Sequence, residues 1–287
     1  MASYPVQLCE LDNGVKLAYR LARPLDQSKE TIVLFHSFLM DSRLYLPQFE
    51  DDSFAAFNLV AVDEHGHGYT EGPEDFTFWD SARDGLALMK ELGVPRFYIL
   101  GTSQGGFIAM RMALLASEST DPAAQTAVKG LILLGTNAAS ESDENKQLFK
   151  QVRDFWCSTD IPTEDAMRTK TGSFGGPEVV GEETYRQICE NWRRRHSGSR
   201  GYDPAMRCLS GRDSIVDRLG EIKVPVLVMH GTADTIYSVA GAQQWAKKLP
   251  NVWSFKVVDG GFHYLSFTSP GTEACAEYIP LFIKSTL

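Results

Sequence analysis

The fifteen residues Phe97–Arg111, FYILGTSQGGFIAMR, constrain the fold of this chain more than any other stretch. Phe97, Tyr98, Ile99 and Leu100 form an apolar run with the length and composition of a buried strand. The chain then passes through Gly101-Thr102-Ser103-Gln104-Gly105-Gly106 and resumes with Phe107, Ile108, Met110 and Leu114 at helical spacing. Strand, G-x-S-x-G and helix in that order are the setting in which a serine is held on a sharp turn. The glycines are there for room, because a side chain at Gly101 or Gly105 would collide with neighbouring backbone. Such a turn presents the Ser103 hydroxyl at a helix N-terminus, where unpaired N–H groups and the helix dipole favour a developing negative charge. A small-residue turn with no chemical role would read the same way locally. The rest of the chain has to decide.

Upstream, Val6–Leu11 and Lys16–Leu21 are strand candidates joined by Asp12-Asn13-Gly14, a hairpin signal. Thr31–Phe35 and Asn58–Val62 are apolar enough to be buried strands, each ending in a polar loop, His36-Ser37-Phe38 and Asp63-Glu64-His65-Gly66-His67-Gly68. Tyr45–Asp51 reads as a short helix, and Asp80–Leu92 as a longer one stopped by Gly93. Val128–Leu134 is a further strand. Apolar strands alternating with amphipathic helices predict an α/β fold, a mostly parallel doubly wound sheet covered on both faces. In such sheets ligands bind beyond the carboxyl ends of the strands, so the loops after Phe35, Val62, Leu100 and Leu134 should meet at one site.

From Asn137 to Arg212 the alternation stops. Glu141–Trp156 and Glu182–Arg195 read as helices, separated by the glycine-rich Thr171–Pro177, and no strand-like run intervenes. Alternation resumes with the strand Pro225–Met229, the helix Ser238–Leu249, the strand Val252–Val258 and the helix Cys275–Lys284. The reading is a core made of residues 1–136 and 214–287, with residues 137–213 inserted as a helical lid over the site.

A serine hydroxyl is a weak nucleophile at neutral pH and needs a positioned base that an acid orients. Asp234 follows the strand Pro225–Met229, and His263 follows Val252–Val258 in Asp259-Gly260-Gly261-Phe262-His263. Ser103, Asp234 and His263 are therefore the expected nucleophile, acid and base. Asp259 is a second candidate acid, expected to be structural, and Asn137 stands where an earlier strand end might have carried one. His230 is expected to pack or hydrogen-bond. The oxyanion donors should be the backbone N–H of Gln104, next to the nucleophile, and that of Phe38 in the loop after the third strand.

HSF, DEHGHG, GTSQGG, HGTAD and GFH occur in this order along nearly the whole length. Through them the chain resembles lidded members of the α/β-hydrolase superfamily, in the style of the esterase and enol-lactonase branch. The resemblance implies a serine hydrolase for a carboxylic ester or lactone, working through an acyl-enzyme without metal or organic cofactor. It departs from many relatives at Ser37, where they carry glycine, and at His65, where they carry arginine; Ser37 is placed to add a hydroxyl contact. A C–C bond hydrolase or lyase on the same triad is the alternative chemistry, and a non-catalytic ligand-binding protein of the same fold a further one.

Other features carry less. His65 and His67 lack a third ligand at metal spacing, so loop hydrogen bonding is expected. Arg193, Arg194 and Arg195 spread around a helix and suit a solvated surface, with a substrate carboxylate contact left open. Phe155, Trp156, Phe174, Trp192 and Tyr202 are packing residues of the lid, and some of them, with Ser37, are expected to line a largely apolar pocket. A net charge of −9 argues against nucleic acid or an anionic membrane as partner, and no apolar run is long enough to span a bilayer. Cys9, Cys157, Cys189, Cys208 and Cys275 are scattered, without a C-x-x-C pair. With an N-terminus lacking basic and apolar leader regions, they suit free thiols in the cytoplasm.

Overall fold

The computed structural model describes residues 4–287. Eight strands form one sheet in the order β1-β2-β4-β3-β5-β6-β7-β8. They are β1 (Gln7–Glu10), β2 (Lys16–Leu21), β3 (Thr31–Phe35), β4 (Asn58–Val62), β5 (Phe97–Thr102), β6 (Val128–Leu134), β7 (Val226–Gly231) and β8 (Val252–Val258). The first two form an antiparallel hairpin, β2 pairs antiparallel with β4, and the other pairings are parallel. The hairpin closes through Gly14, whose φ of +82° a residue with a side chain rarely adopts. β3 and β4 are buried throughout, as strands covered on both faces must be.

The helices are α1 (Leu46–Glu50), α2 (Phe78–Glu91), α3 (Gln104–Glu118), α4 (Pro122–Gln125), α5 (Asp143–Trp156), α6 (Glu164–Arg168), α7 (Pro177–Val180), α8 (Glu182–Arg195), α9 (Gly198–Ser210), α10 (Val239–Ala246) and α11 (Gly271–Ser285). Among the described residues none is long and apolar enough to cross a membrane. Parallel register aligns Phe35 with Val62 and Gly101, Thr102 with Leu134, Leu134 with Met229, and Gly231 with Val258. The loops after these residues therefore open on a single rim of the sheet.

α5 to α9 all lie between β6 and β7, and their docking onto that rim is specific. The Trp192 indole N–H donates to the Leu39 carbonyl at 2.9 Å, and Tyr264 N–H donates to the Ser173 carbonyl at 2.9 Å. The three consecutive arginines of α8 are not simply solvated. Arg194 and Arg195 reach the carbonyls of Gly68 and Thr70, and Arg193 pairs with Glu164 at 3.4 Å. α9 departs from the sequence pattern, because Gly201 and Pro204 lie inside it. Tertiary packing overrides that propensity: Tyr202, Ala205 and Leu209 are buried on one face, and Arg153 of α5 holds Asp203 at 2.8 Å.

Candidate active site

The turn between β5 and α3 sets the site. Ser103 has φ +55° and ψ −116°, a conformation that costs a non-glycine residue about 1–3 kcal/mol unless its surroundings hold it. They do hold it. Ser103 N–H donates to the Leu134 carbonyl at 2.9 Å, and its own carbonyl accepts from Gly106 N–H and the Thr136 hydroxyl, the latter at 2.7 Å. The flanking glycines leave the space: a Cβ on Gly101 would stand 2.2 Å from the Gly105 carbonyl oxygen, and one on Gly105 would stand 1.9 Å from that of Phe35.

The Ser103 hydroxyl lies 2.8 Å from His263 Nε2, and His263 Nδ1 lies 2.7 Å from Asp234 Oδ2. Three side chains far apart in sequence thus form one continuous hydrogen-bonded chain, almost wholly buried, with Ser103 at 5 % and His263 at 3 % exposure. The pairing implies Nδ1–H donating to the carboxylate and a lone pair on Nε2 facing the serine. Asp234 is fixed on both oxygens. Oδ1 accepts the backbone N–H groups of Ile236 (2.8 Å) and Tyr237 (3.0 Å), and Oδ2 also stands 3.1 Å from His230 Nε2. Burial alone would raise the Asp234 carboxyl, but the His263 imidazole and the hydrogen bonds from both histidines and Tyr237 hold it well below the usual carboxylate range. Asp259 does not join this chain; it accepts from the Thr232 hydroxyl at 3.1 Å.

The loop after β3 is anchored by its carbonyls. Phe38 C=O accepts from the Tyr264 hydroxyl at 2.9 Å, and Leu39, at φ +62°, turns its C=O to Trp192. Gly105 N–H donates to the His36 carbonyl at 3.1 Å and ties this loop to the start of α3. Among the described residues the backbone N–H groups of Phe38 and Gln104 have no protein acceptor.

Behind Gln104 lies a polar cluster that no periodic pattern in the sequence marks. The Gln104 carboxamide donates to Glu64 at 2.6 Å and stands 3.4 Å from His67 Nε2. Glu64 N–H donates to His36 Nε2 at 3.1 Å, and His36, His67 and His196 stack edge to face at 5.1 and 5.2 Å. Burial pushes the Glu64 carboxyl well up and the three imidazoles down, His196 to about 3. All three histidines are thus neutral hydrogen-bonding groups at neutral pH. The only sequence signal for this cluster is the DEHGHG run itself, read together with the glutamine after the serine. His65 is outside this cluster and stands 3.3 Å from Asp84, whose other oxygen accepts from Asn13 at 2.7 Å.

The expected pocket residues divide. Trp156, Phe174, Trp192 and Tyr202 are buried in one aromatic group, with Trp156 between Trp192 and Tyr202 and Tyr202 edge-on to Phe38 at 5.9 Å. Phe155 is outside this group, 43 % exposed on the outer face of α5, because the helix's buried stripe runs through Phe149 and Trp156. Ser37 is fully buried, and its hydroxyl donates to the Thr102 carbonyl at 3.3 Å, so it faces β5 rather than the rim.

A family model described as alpha/beta hydrolase fold matches residues 30–270. An uncharacterized hydrolase of Saccharomyces cerevisiae is 25% identical, the alignment covering 96% of each chain. 3-Oxoadipate enol-lactonase 1 of Acinetobacter baylyi is 22% identical over 95% of this chain and 94% of its own. Among solved structures, a thermophilic esterase from Thermogutta terrifontis superposes with a TM-score of 0.72 at 21% identity, covering 98% of this chain and 99% of that one.

Proposed function

This chain belongs to the α/β-hydrolase fold family, and from that premise we propose that it is a serine hydrolase cleaving a carboxylic ester or lactone of moderate size through an acyl-enzyme. The observation that carries the reading is the unbroken hydrogen-bonded chain from Ser103 through His263 to Asp234. Ser103 Oγ attacks the acyl carbon as His263 Nε2 takes its proton. Asp234 keeps the proton on Nδ1 and stabilises the imidazolium that forms. Phe38 N–H and Gln104 N–H donate to the oxygen that gains charge, a role in which one donor is worth about 10²–10³ in turnover. His263 then gives its proton to the leaving oxygen, and a water activated by the same nitrogen releases the acid.

Residues 137–213 act in this reading as a cap, and the aromatic group around Phe38 and Tyr202 supports an apolar acyl pocket. Rapid mixing with a 4-nitrophenyl ester tests the proposal. A burst of nitrophenol matching the enzyme concentration, followed by slower turnover, is expected. Absence of a burst alongside cleavage of a β-diketone would move the assignment to C–C bond hydrolysis on the same side chains.

A further inference from the structure

Cations of the helical segment are mostly answered by protein groups. Arg153 pairs with Asp203, Arg186 with Glu183, Arg193 with Glu164, and Arg212 with Glu141. Lys170 is different. It precedes the 3₁₀ turn Thr171–Ser173, and its Nζ stands 5.2 Å from the centroid of the Phe38 ring. Among the described residues no carboxylate lies within 4.0 Å of that ammonium, and it donates no hydrogen bond to protein. Desolvation alone presses its pKa down to about 8, with no neighbouring acid to lift it.

The position is held firmly. The turn after Lys170 accepts Tyr264 N–H on the Ser173 carbonyl, and Phe174 stacks on Tyr264 at 6.1 Å between centroids. The segment after Lys170 is thereby tied to the residue following His263, while Nζ itself stands beside the ring of the residue whose N–H is the proposed oxyanion donor. Lys170 is half-buried and its ammonium keeps access to solvent, so with no protein acceptor it is open to a ligand, and the aromatic face adds only about 0.5–2 kcal/mol. An arriving anion would complete the arrangement.

We propose that Lys170 binds a carboxylate carried by the substrate, so that the preferred substrate is an ester or lactone bearing an acid group; this rests on the serine-hydrolase reading above. A single monovalent cation in an aromatic setting matches one negative charge, whereas a phosphate dianion would bring a second charge against the ring with no cation to answer it. Reach sets the size. A phenylalanine ring centroid lies roughly 5 Å from its own backbone nitrogen, so Nζ is within about 10 Å of the Phe38 N–H. With hydrogen bonds of about 3 Å at each end, the carboxylate belongs within about half a dozen bonds of the scissile carbonyl.

The test compares mono-4-nitrophenyl glutarate with its methyl ester, an anionic and a neutral substrate of matched shape. The wild-type protein should favour the anion by about 10–100-fold in kcat/KM, chiefly through KM, as one charged hydrogen bond provides. Lys170→Met should collapse that ratio to within about threefold of one, and Lys170→Arg should keep most of it. No preference in the wild type, or equal losses on both esters in Lys170→Met, overturns the proposal. The hydrolase reading fails separately, if neither ester is turned over and Ser103 takes up no acyl group. In that case calorimetric titration of the wild type and Lys170→Met with monomethyl glutarate decides: binding that needs Lys170 supports the carboxylate site, and equal or absent binding overturns it.

Discussion

Replacing Asp234 by asparagine changes one oxygen for an NH₂ group, and the structure dictates where that group goes. The N–H groups of Ile236 and Tyr237, at 2.8 and 3.0 Å, require an acceptor at Oδ1. The amide oxygen takes that place, and the NH₂ is forced to the Oδ2 position, facing His263 Nδ1 and His230 Nε2. A donor there makes His263 present its Nδ1 lone pair and carry its proton on Nε2. That nitrogen then meets the Ser103 hydroxyl as a donor and cannot accept its proton. The wrong tautomer costs about 10⁴ in kcat, or about 5 kcal/mol of transition-state stabilisation. A second effect follows at His230, whose Nε2 also lies 2.8 Å from the Tyr237 carbonyl. Its Nε2–H can no longer face Oδ2 without opposing another donor, so stability should fall by about 1–3 kcal/mol. Steady-state hydrolysis of 4-nitrophenyl acetate, with denaturant unfolding on the same samples, reads both quantities. Turnover within about tenfold of wild type would refute the tautomer argument and return attention to Asp259.

Glu64→Leu should release the Gln104 carboxamide and lower kcat roughly tenfold with little change in KM, while Glu64→Gln restores most of the loss; kinetics on the same ester checks this. Gly105→Ala would drive a Cβ to 1.9 Å from the Phe35 carbonyl oxygen. It should lower Tm by on the order of 5–10 °C, read by calorimetry, and an unchanged Tm would show that the turn can relax. His36, His67 and His196 are held neutral by burial, so below about pH 6.5 the unfolded chain binds more protons than the folded one. Their stabilising effect is full above that pH and declines on acidification, by up to about 1.4 kcal/mol per pH unit for each histidine. Urea midpoints between pH 7 and 5 should fall accordingly, and His196→Gln should make the slope shallower.

The sheet was legible because its strands are solid apolar runs. Thr31–Phe35, Asn58–Val62 and Val128–Leu134 stand in the structure with the limits that hydropathy alone assigns. The three side chains of the site were legible because each follows a strand's carboxyl end, where parallel register places them on one rim. Two kinds of feature were not. Helix α9 was hidden by Gly201 and Pro204, whose local preferences are overridden by burial of Tyr202 and Leu209. The contacts of Glu64 with Gln104 and of Lys170 with Phe38 join residues with no shared periodicity, and only the folded chain brings them together. Phe155 and Trp156 show the limit of pattern: adjacent aromatics on one helix, of which one is buried and the other faces solvent.

The reaction proposed for this chain requires that an acyl group become attached to one hydroxyl and no other, and a phosphonyl probe reports which. Incubation with a fluorophosphonate, followed by proteolysis and mass spectrometry, should place a single stoichiometric adduct on Ser103, with none in Ser103→Ala. An adduct on another residue, or none on a folded protein, would contradict the account.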